Sequence, residues 1–280
     1  MLPPGTRSLI KRALAEDLGR AGDVSSLALF GPADRDRFVL VSKDQGVACG
    51  LELFSEVFRA LDRRVRVATG LTDGQLLSKG QRVATVEGPV RAILSGERTA
   101  INFLSHLSGI ATKTAALVSS AGPGAPAVLD TRKTIPGLRA LEKYAVATGG
   151  GRNHRMGLYD MVMLKDNHID AAGGIPQAVA RARARWGRRF KIEVETRNLD
   201  EVQKALDAGA DRIMLDNMDD ATMREAVALV AGRAETEASG NMTLERYRAL
   251  ADSGIDFVSF GELTHTVRAF DFSLRKDARP

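Results

Sequence analysis

Lys191-Ile-Glu-Val-Glu-Thr-Arg-Asn-Leu-Asp-Glu-Val-Gln-Lys-Ala-Leu-Asp-Ala-Gly-Ala-Asp-Arg-Ile-Met-Leu-Asp-Asn217 is the stretch that decides the fold of this chain. It opens on a short strand pattern, in which apolar Ile192 and Val194 alternate with acidic Glu193 and Glu195. Asn198 then suits an N-cap, Val202 and Leu206 recur at helical spacing, and Gly209 ends the helix. A second apolar strand, Arg212-Ile-Met-Leu, follows at once. Strand, helix and strand at this spacing make a βα unit of a parallel sheet.

The same grammar extends in both directions. Ala127-Val-Leu-Asp runs into Thr131-Arg-Lys-Thr, and Met161-Val-Met-Leu runs into Lys165-Asp-Asn-His. Ala234-Glu-Thr-Glu-Ala runs into Ser239-Gly, and Ile255-Asp-Phe-Val-Ser-Phe runs into Gly261-Glu-Leu-Thr-His. Asp219 or Asp220 opens a helix through Met223, Val227 and Val230, and Thr243 opens another through Tyr247, Leu250 and Gly254. Six such units suit a closed or nearly closed βα barrel better than an open sheet. In a barrel of this kind the C-terminal strand ends share one face, and that face carries the site.

The first third reads as α+β. Helical patterns cover residues 6–17 and 51–61, and a long one runs from Ser95, a suitable N-cap, to about 120. It carries Ile101, Leu104, Leu107 and Ile110 on one face, and Gly109 marks a break in it. Strands are expected at Phe38-Val-Leu-Val-Ser, Gly46-Val-Ala-Cys-Gly50, Val65-Arg-Val-Ala-Thr and Arg82-Val-Ala-Thr-Val. The alternating tail Ala269-Phe-Asp-Phe-Ser-Leu274 is expected to return to this part as a strand. The expected domains are therefore 1–108 joined by 268–280, and a barrel over 109–267.

With 280 residues, 44% of them hydrophobic and 27% charged, the chain is an ordinary globular one. Its net charge of +5 reflects surface lysines and arginines or a preference for acidic ligands. Aromatic residues make up only 5%, and the basic clusters lack the interleaved Tyr or Phe that stack bases, so nucleic acid is not the expected partner. Cys49 is the sole cysteine, which excludes an internal disulfide or a cysteine zinc site. No signal-peptide core and no apolar run near the roughly 20 residues of a membrane helix is present, so a soluble, cytoplasmic protein is expected.

At the strand ends two sets of groups gather. Arg132, Lys133, His154, Arg155 and Lys165 are cationic; Glu193, Glu195 and Asp216 are acidic. Glu193 and Glu195 point the same way, because strand side chains alternate. Carboxylates beside a cationic pocket suit a hard divalent cation such as Mg²⁺, held partly through substrate phosphate. Ser239-Gly240 and Gly261 end strands ahead of helices, where free N–H groups and the helix dipole favour a phosphate. Plainer readings stand beside these. Any one of the cations is a solvated surface charge, although Lys165, placed straight after an apolar run, is expected to be half-buried. Glu193 pairs with Lys191 or Arg212, His106 is structural or exposed, and His168 orients its loop. A zinc site from His154, His168 and His265 has no supporting spacing. Neither a Gly-x-Ser-x-Gly elbow nor a Walker loop occurs.

These motifs, taken in order, resemble quinolinate phosphoribosyltransferase. The resemblance is carried by Glu16-Asp-Leu-Gly, Gly22-Asp-Val, Gly96-Glu-Arg-Thr-Ala-Ile-Asn-Phe-Leu and Leu107-Ser-Gly-Ile-Ala-Thr112. It continues through Asp130-Thr-Arg-Lys-Thr, Pro136-Gly-Leu-Arg, Glu142-Lys-Tyr-Ala-Val and Gly149-Gly-Gly-Arg-Asn-His-Arg. Gly157-Leu-Tyr-Asp, Leu164-Lys-Asp-Asn-His-Ile, Glu193-Val-Glu, Met214-Leu-Asp-Asn, Glu237-Ala-Ser-Gly and Leu263-Thr-His complete it. The resemblance implies an N-terminal α+β domain packed on an incomplete βα barrel, in a homodimer whose sites are shared. It implies that quinolinate and phosphoribosyl pyrophosphate give nicotinate mononucleotide, pyrophosphate and CO₂.

By the same resemblance, Arg132, His154, Arg155 and Lys165 hold the quinolinate carboxylates, and Arg98 reaches in from the neighbouring subunit. Lys133 and Lys165 also approach phosphoribosyl pyrophosphate. Glu195 and Asp216 meet the ribose hydroxyls and Mg²⁺, and Ser239, Gly240, Gly261 and His265 hold the 5′-phosphate. Two departures from the family pattern are Asn241, where a second glycine is common, and Thr196-Arg197 after Glu195. A related protein associated with molybdate transport is the nearest alternative, but it does not keep the Lys-Asp-Asn-His and Glu-Lys-Tyr-Ala motifs together. A non-catalytic protein binding anions or nucleic acid is the alternative from another class.

Overall fold

A computed structural model describes residues 2–278. Residue 1 of the expected 1–108 domain and residues 279 and 280 of the expected returning tail lie outside the described residues. In chain order the strands are β1 (Arg35–Ser42), β2 (Gly46–Val47), β3 (Arg66–Ala68), β4 (Leu76–Leu77) and β5 (Arg82–Pro89). They continue with β6 (Ala127–Leu129), β7 (Val162–Leu164), β8 (Ile192–Thr196), β9 (Arg212–Asp216), β10 (Glu235–Ser239), β11 (Phe257–Ser259) and β12 (Phe272–Lys276). The chain divides into two compact units. One runs from the N-terminus to Ala115, with Ile135–Gly150 and the stretch from Thr266 onward; the other is Ala116–Thr134 with Gly151–His265.

In the first unit an antiparallel sheet has the order β12-β1-β5-β3. Leu40 in β1 stands opposite Leu274 in β12, and both are buried. The strand expected over Gly46–Gly50 shrinks to the two residues of β2, because Cys49 N–H leaves the ladder and donates to Ser108 Oγ at 3.0 Å. Burial pushes the Cys49 thiol up to about 12, so it is not a reactive thiolate.

The long helix differs from expectation at both marked points. It spans Val90–Ser120 and starts directly after Pro89, so Ser95 lies inside it and does not cap it. Gly109 does not break it either. The helix is continuous there, and a Cβ on Gly109 would sit 2.2 Å from the Arg268 carbonyl oxygen. Glycine is required by a close backbone approach, not by a helix end. Neighbouring motif residues have similar structural duties. Thr112 Oγ1 accepts from Val47 N–H at 2.9 Å, and His106 Nε2 meets buried Glu142 at 2.8 Å.

In the second unit a six-stranded parallel sheet has the order β6-β11-β10-β9-β8-β7. β6 and β7, consecutive along the chain, occupy opposite edges. A barrel left unpaired between them is an open one. Arg152 makes a single parallel bridge to Leu129 on the free edge of β6, with its N–H donating to Val128 O at 2.8 Å. All the expected βα units form. Asn198, Asp219 and Thr243 cap their helices, accepting from Glu201, Thr222 and Arg246 N–H.

One basic run departs from the compositional reading. Between Arg181 and Lys191 the arginines are interleaved with aromatics, and Arg185 stacks over Trp186 at 4.9 Å and Arg189 over Phe190 at 5.1 Å.

Candidate active site

The C-terminal ends of β6 to β11 surround a cavity of about 800 Å³, lined only by residues of the second unit. Short strands followed directly by polar residues put Arg132 and Lys133 after β6, Lys165 after β7, Glu195 on β8 and Asp216 on β9 at one mouth. Ser239, paired with Asp216 across the sheet, lines the same cavity with Gly240, Gly261 and His265, and His154 and Arg155 enter from the loop ahead of β7. Of the residues expected to bind substrate or metal, only Arg98 is missing from the lining. It is exposed on the helix Val90–Ser120 of the first unit.

The cations of the pocket crowd one another. Burial and the nearby charge of Arg132 hold the Arg155 guanidinium below its ordinary pKa. An anion entering there relieves both costs. Arg155 also donates to the Met161 carbonyl at 3.2 Å, which fixes its reach. Lys165 is less buried than its place after an apolar run implies, with a side chain 46% exposed, and it forms an ion pair with Glu195. His168 Nδ1 accepts the Lys165 N–H at 3.2 Å, so His168 orients this loop. Asp216 accepts from Asn217 Nδ2 at 2.8 Å.

Glu193 does not pair as expected. Lys191 goes to Glu235 at 2.8 Å, and Arg212 goes to Glu235 at 3.0 Å and Glu237 at 3.2 Å. Glu193 points into the barrel, where its Oε2 lies 3.0 Å from His154 Nε2. Glu237 Oε2 lies 3.4 Å from the same nitrogen. This engagement also removes His154 from the zinc set imagined with His168 and His265. Its ring is only 6% exposed, while His265 and His168 lie at the surface.

Two contacts pull against each other on the His154 ring. Nδ1 lies 2.6 Å from the Arg155 N–H, which suits a neutral ring. The carboxylates favour the imidazolium. Burial alone lowers the pKa, but the hydrogen bonds and charges of Glu193 and Glu237 outweigh it and raise it to about 9. One amide contact is worth about 1 kcal/mol. Stranding a buried carboxylate costs about 3–5 kcal/mol. The two carboxylates thus pull the ring toward the imidazolium. Glu193 is pushed up, by burial first and then by Glu237. Glu237 is held low despite burial, because His154 and Arg212 face it.

The loop after β10 keeps the geometry that its departing residue put in question. Gly240 has φ 88° and Asn241 φ 47°. Asparagine is among the few non-glycine residues that accept this region. Asn241 Nδ2 donates to Asn217 Oδ1 at 3.2 Å. The helices behind the two glycine turns are short, Leu244–Ala249 and Glu262–His265. Their dipoles therefore add less than expected, and donors at this side are mainly loop N–H groups.

Sequence reasoning missed the struts of the site. Arg246 holds the Gly240 carbonyl at 3.2 Å, the Met218 carbonyl at 2.8 Å and Asp220 at 3.1 Å. Buried Asp130 accepts the His154 N–H at 2.8 Å. Asp130 stood inside a quoted motif, but nothing local marks the helix face of Arg246 as structural.

Residues 23–108 match the family described as "Quinolinate phosphoribosyl transferase, N-terminal domain". Residues 110–275 match its "C-terminal domain". A rice protein named nicotinate-nucleotide pyrophosphorylase (carboxylating), chloroplastic, is 42% identical over 97% of this chain and 77% of its own length. A Bacillus subtilis protein named as a probable nicotinate-nucleotide pyrophosphorylase (carboxylating) is 42% identical over 96% of this chain and 92% of its own. The crystal structure of NadC from Streptococcus pyogenes superposes with a TM-score of 0.95 at 42% identity, covering 98% of this chain and 97% of that one.

Proposed function

Because the chain belongs to the quinolinate phosphoribosyltransferase family, we propose that its barrel mouth joins quinolinate to phosphoribosyl pyrophosphate with the residue roles that follow. The enzyme is a decarboxylating phosphoribosyltransferase of NAD biosynthesis. The observation that carries the assignment of roles is the single pocket in which Arg132, Lys133, Arg155 and Lys165 face Glu195 and Asp216.

Arg132, Arg155 and Lys165 take the two ring carboxylates, with His154 beneath them. Arginine suits this work because its planar fork matches a carboxylate. Lys133 and Lys165 approach the pyrophosphate. The pyridine nitrogen attacks the anomeric carbon as pyrophosphate leaves, and positive charge develops on the ribose. Glu195 and Asp216 stand where they stabilise that charge and accept from the ribose hydroxyls. The loop N–H groups at Ser239, Gly240 and Gly261, with His265, take the 5′-phosphate. Once joined to the ribose, the pyridinium nitrogen stabilises the electron pair left on C2 when the 2-carboxylate leaves as CO₂, and C2 then takes a proton from solvent. No covalent nucleophile is required; orientation and fixed charge carry the rate.

Glu195 and Asp216 offer carboxylate oxygens at neighbouring strand ends of one pocket, the donor type a hard cation takes. Mg²⁺, when bound, offsets the charge of the departing pyrophosphate. The dimer with shared sites is part of the same proposal, since Arg98 is exposed in the unit that does not line the pocket. So is a cytoplasmic location. No helix among the described residues is long and apolar enough to cross a membrane, and the rice and Arabidopsis relatives are named chloroplastic.

Incubation with quinolinate, phosphoribosyl pyrophosphate and Mg²⁺ tests the reading: nicotinate mononucleotide and CO₂ should form together. Turnover of nicotinate in place of quinolinate would move the protein to a different transferase. Mixed dimers of Arg98→Ala and Lys165→Ala should regain activity that neither variant has; demonstrated heterodimers without rescue would refute sharing.

A further inference from the structure

Beneath the cations of the pocket lie two carboxylates that the reaction above does not use. Glu193 and Glu237 are both fully buried. They come from β8 and β10, the neighbours of β9 on either side, and converge on one atom, His154 Nε2, at 3.0 and 3.4 Å. The other groups facing this cluster come from every element around it. Arg212 of β9 reaches Glu237 at 3.2 Å. Ser259 of β11 hydrogen-bonds Glu237. Asp130, after β6, takes the His154 N–H at 2.8 Å. Arg155 stands next in the chain, with its charge opposed by Arg132.

With both carboxylates ionised, the charges balance in only one way. Of the three buried carboxylates here, Asp130 meets the backbone N–H of His154, and Glu193 and Glu237 share one permanent cation, Arg212. A neutral His154 would leave a buried carboxylate without a counter-charge, which proteins avoid. An imidazolium closes the balance. It also adds a positive charge to the pocket floor, next to Arg155, in a place where repulsion among the guanidinium groups would otherwise favour a neutral ring.

We infer that Glu193 and Glu237 are positioning residues that hold His154 as a fixed imidazolium at the floor of the pocket, where it completes the receptor for the carboxylates of the aromatic acid substrate. The inference rests on the assignment of that substrate made above. In this arrangement the pair does no chemistry. It sets the charge and the aim of the residue that meets the acid. The usual titration of a histidine near neutrality is thereby moved out of the working range.

The first test needs no turnover, and uses a variant only to assign the signal. Nitrogen-15 NMR of the free protein should show one of its four histidines, identified by loss of its signal in His154→Gln, remaining cationic to well above pH 8. Titration of that ring at its ordinary value would overturn the inference, whether or not quinolinate is the substrate. The second test is kinetic. In Glu237→Gln and, separately, Glu193→Gln, the quinolinate KM at pH 8.5 should rise at least tenfold. At pH 6 it should return to within a few-fold of wild type, and the KM for phosphoribosyl pyrophosphate should hold at both. Glu237→Asp keeps the charge and should rescue part of the loss. A KM change equal at both pH values, or none, would assign the pair to packing. Loss of the cationic His154 signal on adding diamagnetic Zn²⁺ would also overturn the inference, because the three side chains would then be metal ligands.

Discussion

The ammonium of Lys165, just beyond β7, is ion-paired with the carboxylate of Glu195 on β8. Lys165, assigned to both substrates, and Glu195, assigned to the ribose, thus neutralise each other in the free protein. Substrates must separate them, and each then gains a partner that changes charge during the reaction. Lys165→Ala should lower kcat/KM by roughly 10²–10³-fold, the usual effect of removing one fixed charge from a transition state. Stability should barely move, because an exposed ion pair is worth about 0–1 kcal/mol. Steady-state kinetics beside a thermal melt separates the two. A large fall in melting temperature would assign Lys165 to the fold instead.

Gly240 should not tolerate a side chain. Its φ is 88°, and a Cβ there would lie 2.2 Å from Asn217 Oδ1. Gly240→Ala therefore displaces Asn217, the donor to Asp216 at 2.8 Å. The KM for phosphoribosyl pyrophosphate should rise at least tenfold while that for quinolinate changes little. Asn241→Gly is the matched control. Since Asn241 already sits at φ 47°, glycine should keep activity and cost only a few tenths of a kcal/mol, through the unfolded chain.

Much of the barrel was legible because each of its elements is coded locally. Asn198, Asp219 and Thr243 stood where caps belong, and all three accept the expected N–H. The pocket residues were legible for a similar reason: short apolar strands deliver the next polar residue to the mouth. What escaped depends on contacts remote in sequence. Glu193 has cations beside it along the chain and across the strand, and only the curvature of the sheet brings His154 nearer than either. Gly109 carried a helix-breaker signal, but its cause is a carbonyl more than a hundred residues away. Part of the motif around Leu107–Thr112 therefore serves packing; its residues hold Val47 and Cys49 in the first unit.

Gly109→Ala follows from that contact. A methyl group 2.2 Å from the Arg268 carbonyl oxygen meets backbone, not a flexible side-chain end. Overpacking of this kind costs about 1–3 kcal/mol or more. Urea titration should find Gly109→Ala less stable by at least that much. Gly122→Ala has open space around its Cβ but φ 76°, so it should lose only the smaller backbone cost of about 1 kcal/mol. Equal losses in the two variants would show that helix 90–120 yields locally and that the approach of Arg268 is not a constraint.

The cluster around His154 makes stability itself depend on pH. Burial lowers the ring's pKa, but Glu193 and Glu237 more than reverse this and raise it from 6.5 to about 9. A raised histidine contributes stability that is fully present below its unfolded value and is lost as pH rises through the folded one. Glu193, also raised, acts in the same direction over its own range. The native protein should therefore weaken between about pH 6.5 and 9. The loss should be about 1–3 kcal/mol, the upper end corresponding to the full shift and the lower to sharing of the proton across the cluster. Unfolding free energies from urea at pH 6.5, 8 and 9.5 measure it, with no substrate present. Stability that holds level or rises over this interval would mean that His154 folds as a neutral ring, and that one of the two buried carboxylates carries the proton in its place.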